Sequence, residues 1–178
     1  MQTRPEKNEY ASYYQTYVNL VPEGELTIIL SQQVEETLSL VKDISDAQAL
    51  FKYASEKWSI KEVVGHIADT ERIMGYRLLA IARGETVSLP GYNDNQYVTN
   101  ALFDKQSIND LLQNLVVVRQ STLHLIKNLT DEALVRRGLA NNSEVTVRAL
   151  ATIIAGHELH HRQIIKDRYI GAKEYPNS

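Results

Sequence analysis

The sequence predicts an all-α protein: a four-helix bundle with a long link between its second and third helices. Three observations carry this expectation. Apolar residues recur at spacings of three and four along four segments of roughly 20 residues each, the signature of amphipathic helices. Serine or threonine caps open most of these segments. The 4 prolines and 8 glycines among 178 residues fall between them. No segment alternates in the manner of a strand, and no internal repeat or second composition zone divides the chain. A single domain over residues 1–178 is therefore expected, long enough to enclose a real core.

The first helix is expected over 23–43. It follows Pro22 and spaces Leu26, Ile29, Leu30, Val34, Leu38 and Val41 along one face. Ser45 with Gln48 forms a capping box for a short helix. The second long helix is expected over 59–83, opened by the Ser59–Glu62 box and stopped by Gly84. Residues 84–106, "GETVSLPGYNDNQYVTNALFDKQ", are too many for a turn between neighbouring antiparallel helices. That link is expected to cross the bundle or cover its end, with a short helix near Gln96–Leu102. Ser107 caps the third helix, 107–129, with Leu111, Leu115, Val118, Thr122 and Leu125 on its stripe. The fourth runs over 146–170, with Gly171 beyond it.

Composition narrows the function. The 19 basic and 22 acidic side chains give a net charge of −3, which argues against a nucleic-acid partner. The N-terminal stretch lacks the apolar core of a signal peptide and no run approaches a membrane span, so the expectation is a cytoplasmic protein. There is no cysteine, which excludes disulfides, thiolate metal sites and a cysteine nucleophile. Any metal must be held by imidazole or oxygen, and any thiol chemistry must use an external thiol.

Three of the five histidines stand in "GHELHHRQIIKDRY". On a helix, residues advance by about 100°, so His157 and His161 lie one turn apart on one bearing. They share it with Leu150, Ile153, Ile154 and Ile164 and so interrupt the core stripe. Burying two imidazoles is unfavourable unless both find partners, and a divalent cation satisfies both. His66, beside the apolar stripe of the second helix, is the natural third ligand. Asp69 or Glu62 is placed to accept its other N–H. His124 lies off its stripe and is expected at the surface. His160 is a spare, placed either to support a ligating residue from behind or to carry a proton. Three neutral imidazoles suit zinc or nickel and leave one coordination position open for water or substrate.

Three motifs then carry a resemblance: "WSIKEVVGHIADTERI", "ARGETVSLPGYNDNQYV" and "GHELHHRQIIKDRY". In this order and separation, from about Tyr14 to Tyr169, the chain resembles the DinB-like (DinB/YfiT-type) family of four-helix-bundle metalloproteins. The resemblance implies one metal ligand from the second helix and two from the fourth: His66, His157 and His161. It also implies an up-down-down-up bundle, a link joining two parallel helices, and a homodimer. Some members transfer a low-molecular-weight thiol such as bacillithiol to electrophiles, and others are assigned as metal-dependent hydrolases. A thiol S-transferase acting on small electrophiles is the expected activity, with a metal-dependent hydrolase as the alternative.

Arg77 and Arg168 share bearings with the histidines, two to three turns further along. They suit carboxylates of a cofactor or substrate, or salt bridges closing a bundle end. Tyr92 and Asn93, in the link, are placed to reach over the site. Asp69 and His160 are candidate catalytic helpers. The competing reading is a non-catalytic module in which metal stabilises a dimer or sensor. A fourth protein ligand, Glu158 or His160, would point that way.

Overall fold

The structure is a computed structural model and describes residues 4–177. After two short 3₁₀ turns come α1 (Gln15–Leu20) and α2 (Leu26–Val41), followed by the single turn α3 (Asp46–Ala49) and α4 (Ile60–Ala82). The link to the next long helix carries α5 (Asp94–Ala101), and α6 (Ile108–Lys127) and α7 (Asp131–Leu134) follow. A hairpin of β1 (Arg137–Ala140) and β2 (Ser143–Thr146) leads into α8 (Val147–Ile164). A π-helical turn, Ile165–Ile170, extends α8.

The helices begin where the sequence supplies acceptors for their first N–H groups. The Ser59 hydroxyl accepts from Glu62 N–H at 3.0 Å, while the Glu62 carboxylate accepts from Ser59 N–H at 2.8 Å. Ser45 and Gln48 form the same box on α3. Ser107 caps α6 and Thr146 caps α8. The first long helix starts later than its proline suggests. Glu25 is its N-cap, since its side chain accepts from Thr27 N–H.

The core separates into two layers, and these give the helix directions. One joins Leu26 and Leu30 to Leu78 and Ile81, to Ile126, and to Val147 and Leu150. The other joins Val41 to Ile60 and Val64, to Ile108 and Leu111, and to Ile165. Along the chain, α2 runs from the first layer to the second, α4 and α6 both return, and α8 runs out again. This is the up-down-down-up bundle, and parallel α4 and α6 explain why the link must be long.

Two elements differ from the sequence expectation. The short N-terminal helix α1 packs on α8. The β1–β2 hairpin is antiparallel, with Ala140 opposite Ser143. Its turn residues Asn141 and Asn142 have φ of 51° and 59°, the left-handed pair that a two-residue hairpin requires. The link clamps onto this hairpin rather than lying free. Leu89 N–H donates to Leu139 O, and Asn141 N–H donates to Leu89 O, both at 2.9 Å. Gly91 next to it has no room for a side chain, because a Cβ there would collide with the Asn141 amide. Among the described residues, no helix is long and apolar enough to cross a membrane.

Candidate metal centre

His66 stands two turns into α4, and residues 66, 70, 74 and 77 form one stripe of that helix. Ile153, His157 and His161 form the facing stripe of α8. All seven residues line one cavity of about 260 Å³. At one end of it the histidines converge, with a ligating nitrogen from each within 4.8 Å of the others. His66 Nε2 and His157 Nε2 are 3.1 Å apart. Two imidazoles on one tetrahedral ion at ~2.0–2.1 Å would place their nitrogens about 3.3 Å apart, so this spacing fits a shared cation. Burial holds all three imidazoles below the ordinary histidine range, His66 at about 4, His161 at about 3 and His157 well below. Asp94 opposes that shift at His66 but does not overcome it. The rings are neutral near pH 7, with lone pairs available to an ion.

The second ring nitrogen of His66 has a partner. Its Nδ1 lies 3.5 Å from the Thr70 hydroxyl, which in turn contacts the Tyr92 hydroxyl at 2.8 Å. Trp58 packs beside the cluster, its ring 4.6 Å from that of His66 and stacked at 6.5 Å on His161. On the other side, Tyr17 places its ring edge-on at 5.6 Å from His157. Tyr13, Tyr14, Tyr17 and Tyr92 all line the cavity. Burial raises the phenol pKa of Tyr14, Tyr17 and Tyr92, so all three keep their protons and remain donors. Gly156 makes this wall possible. A Cβ at that position would strike the backbone of Tyr17, so only glycine lets α1 approach α8 so closely.

The remaining sequence candidates are distributed differently. Asp69 pairs with Arg72 at 3.3 Å, and Glu62 is occupied by its cap and by Lys52 at 2.8 Å. Thr70, one residue past Asp69, is the group beside His66. His124 is exposed on α6. His160 lies outside the converging set, against the rings of Tyr17 and His161. Glu158 points away from the cluster into a buried polar knot. It accepts from the Thr37 hydroxyl at 2.6 Å and sits 2.7 Å from the Arg119 guanidinium. Arg77 and Tyr92 line the cavity, whereas Arg168 is exposed and is not among the lining residues. Asn93 caps α5, and Asp94 beside it faces the cavity. Sequence reasoning gave no site role to Thr70, to Trp58 or to Tyr13, Tyr14 and Tyr17, which lie in and just before α1. The run "YASYYQTY" was the available signal, an unusual density of phenols before the first long helix.

Comparison with known proteins fits this architecture. The family model for the DinB superfamily matches residues 29–165. The chain belongs to the DinB superfamily. A curated protein of Oceanobacillus iheyensis, named "Putative metal-dependent hydrolase OB0413", is 24% identical over 127 residues, covering 71% of this chain and 73% of that one. Among solved structures, YfiT from Bacillus subtilis superimposes with a TM-score of 0.76 at 17% identity, covering 96% of this chain and 94% of its own. That protein is described as a probable metal-dependent hydrolase with an unusual four-helix bundle topology. The DinB-like protein YjoA from Bacillus subtilis gives a TM-score of 0.58 at 22% identity, over 86% of this chain and 96% of that one. These structural likenesses show the fold.

Proposed function

We infer that this protein is a divalent-metal-dependent enzyme, with His66, His157 and His161 as the metal ligands and the adjoining cavity as the substrate site. One observation carries the reading: three neutral imidazoles from two helices, two buried and one half-buried, meet at the end of a cavity, and no fourth His, Asp or Glu of the described residues joins them. Three protein ligands and an open position distinguish catalytic from structural zinc sites. Zinc or nickel suits the donor set. An ion held there supplies Lewis acidity, polarising a substrate oxygen or lowering the pKa of a nucleophile.

The residues around the cluster have separable tasks. Thr70, held by Tyr92, orients the His66 ring through its Nδ1. Tyr14, Tyr17 and Tyr92 offer hydroxyl donors to substrate oxygens. Trp58 and Tyr17 screen the cluster from bulk water, which strengthens each of those polar contacts.

Water as nucleophile makes the protein a hydrolase, the reading that the names of its relatives favour. The second reading, a thiol S-transferase of the bacillithiol type, is favoured by a chain without cysteine. The cobalt-loaded protein separates the two. Under the hydrolase reading, small thiols, bacillithiol among them, leave its near-ultraviolet spectrum unchanged, and it cleaves an activated ester such as p-nitrophenyl acetate until chelated. A thiolate charge-transfer band, with conjugation of a generic electrophile, establishes the transferase instead. Absence of both responses rejects the enzyme reading.

The proposed assembly is a homodimer through the face shared by α4 and α6, where Tyr76, Leu79 and Val117 are exposed around a shallow groove. Light scattering should give twice the chain mass, and Y76E with V117E should give the monomer.

A further inference from the structure

Two arginines are buried inside this bundle and they are treated differently. Arg119, 1% exposed, donates to both carboxylate oxygens of Glu71 and also sits against Glu158. Arg77, 3% exposed, has no carboxylate partner among the described residues. Its Nη2 donates to Pro90 O at 2.7 Å, its Nη1 lies 3.5 Å from the Met74 sulfur, and its guanidinium carbon is 5.9 Å from the centre of the Tyr92 ring. A carbonyl, a thioether and a ring face accept hydrogen bonds or soften the charge. They do not neutralise it, and a guanidinium does not escape burial by losing its proton. A buried cation without an anion is expensive unless something else supplies the anion.

Arg77 also borders the cavity that holds the histidine cluster. It follows Thr70 and Met74 on the α4 stripe, 11 residues from His66, or about 16 Å along the axis between Cα positions. Its long side chain leans back toward the helix N-terminus and so toward the cluster. Asp94 lines the same cavity but is exposed at the start of α5 and does not pair with Arg77.

We propose that Arg77 is the anion-recognition residue of this cavity, and that the substrate is an elongated small molecule whose carboxylate pairs with the guanidinium while its reacting group lies at the histidines. The fork of N–H donors matches a carboxylate in two-point contact. The single guanidinium balances a monoanion, and the Asp94 carboxylate on the same wall adds repulsion that counts further against a dianionic phosphate. The inference rests on the cavity being the substrate site, and it does not require the identity of the nucleophile.

The test uses the metal-free protein, so that its outcome is independent of whether the histidines bind an ion. Trp58 is the chain's one tryptophan and lines the cavity, so its fluorescence reports occupancy. The probes are 4-phenylbutyrate, the uncharged 4-phenylbutanamide and 3-phenylpropyl phosphate. The acid should bind about tenfold or more tightly than the amide, the value of a charge-assisted hydrogen bond, and more tightly than the phosphate. R77M should abolish that preference and R77K should retain part of it. Equal binding of acid and amide, a preference for the phosphate, or a preference that survives in R77M overturns the proposal. Because Arg77 also holds the Pro90 carbonyl, R77M is checked for folding by circular dichroism. If it does not fold, the Arg77 Nε–H resonance of the unaltered protein decides: it must move with the acid and not with the amide, and an unmoved resonance rejects the assignment.

Discussion

At the cluster, His66 and His161 are held at about 4 and about 3, and His157 lower still, chiefly by burial. The unfolded chain has ordinary imidazoles near 6.5 and therefore binds more protons than the folded one below that pH. Stability thus rises with pH through this range and falls as the solution is acidified from about 6.5 toward 4. The metal-free protein should lose urea midpoint steadily between pH 7 and pH 5, and H157L should flatten the dependence. An equal midpoint at both pH values would contradict the burial of neutral rings. The His157–His161 pair was legible in the sequence because helix geometry alone fixes an i, i+4 relation. The partner of His66 was not. Asp69 and Thr70 are adjacent on the same helix, and which one serves His66 depends on Arg72 drawing Asp69 aside. Arg119 was equally hidden. It sits among the valines of α6, and its partners come from α2, α4 and α8: Leu30 O at 2.7 Å, Glu71 and Glu158. R119M leaves two carboxylates buried without a cation and should cost about 3–5 kcal/mol in equilibrium unfolding. A loss within experimental error would mean that water reaches the knot.

Among the elements, the four long helices declared themselves through caps and periodicity, and their observed starts agree with Ser59, Ser107 and Thr146. Pro22 misled the start of α2 by a few residues, because Glu25 provides the acceptor that the first turn needs. The helix α1 is six residues long, too short for a hydrophobic period to register, and it owes its stability to α8 rather than to its own propensity. The hairpin was readable in principle from Asn141–Asn142, since paired asparagines tolerate the left-handed turn. Glu9 fastens the segment before α1 to the start of α8 through Arg148 and the Thr146 hydroxyl. Burial alone would raise its pKa, but these partners together hold it at about 2. That anchorage is complete above about 4.5 and is lost as pH falls through 2. Gly156 tests the α1 contact. Alanine in an exposed helix interior would gain about 1 kcal/mol over glycine, whereas collision with the Tyr17 backbone costs about 1–3 kcal/mol. G156A should therefore be net destabilised and should shift Trp58 emission as α1 moves off. A stabilised variant with unchanged emission would show that α1 is loosely held.

For the whole molecule, the order of the two core layers makes α4 and α6 parallel, and the long link is the consequence. The sequence made the length of that link visible, but its attachment to the hairpin through Leu89 depends on a pairing far apart in sequence. This attachment carries Tyr92 to Thr70 and Asp94 to the cavity, so the link belongs to the site and is not a surface excursion. The superfamily match covers residues 29–165 and stops short of α1. Three phenols that wall the cavity, Tyr13, Tyr14 and Tyr17, lie outside it. We propose that one divalent ion joins α4 to α8 through His66, His157 and His161. The most direct test is the metal content of purified protein after loading with zinc and exhaustive desalting. The unaltered chain and H124A should each retain one ion per chain, and H66A, H157A and H161A should each lose it. Equal retention in all four variants would contradict the account.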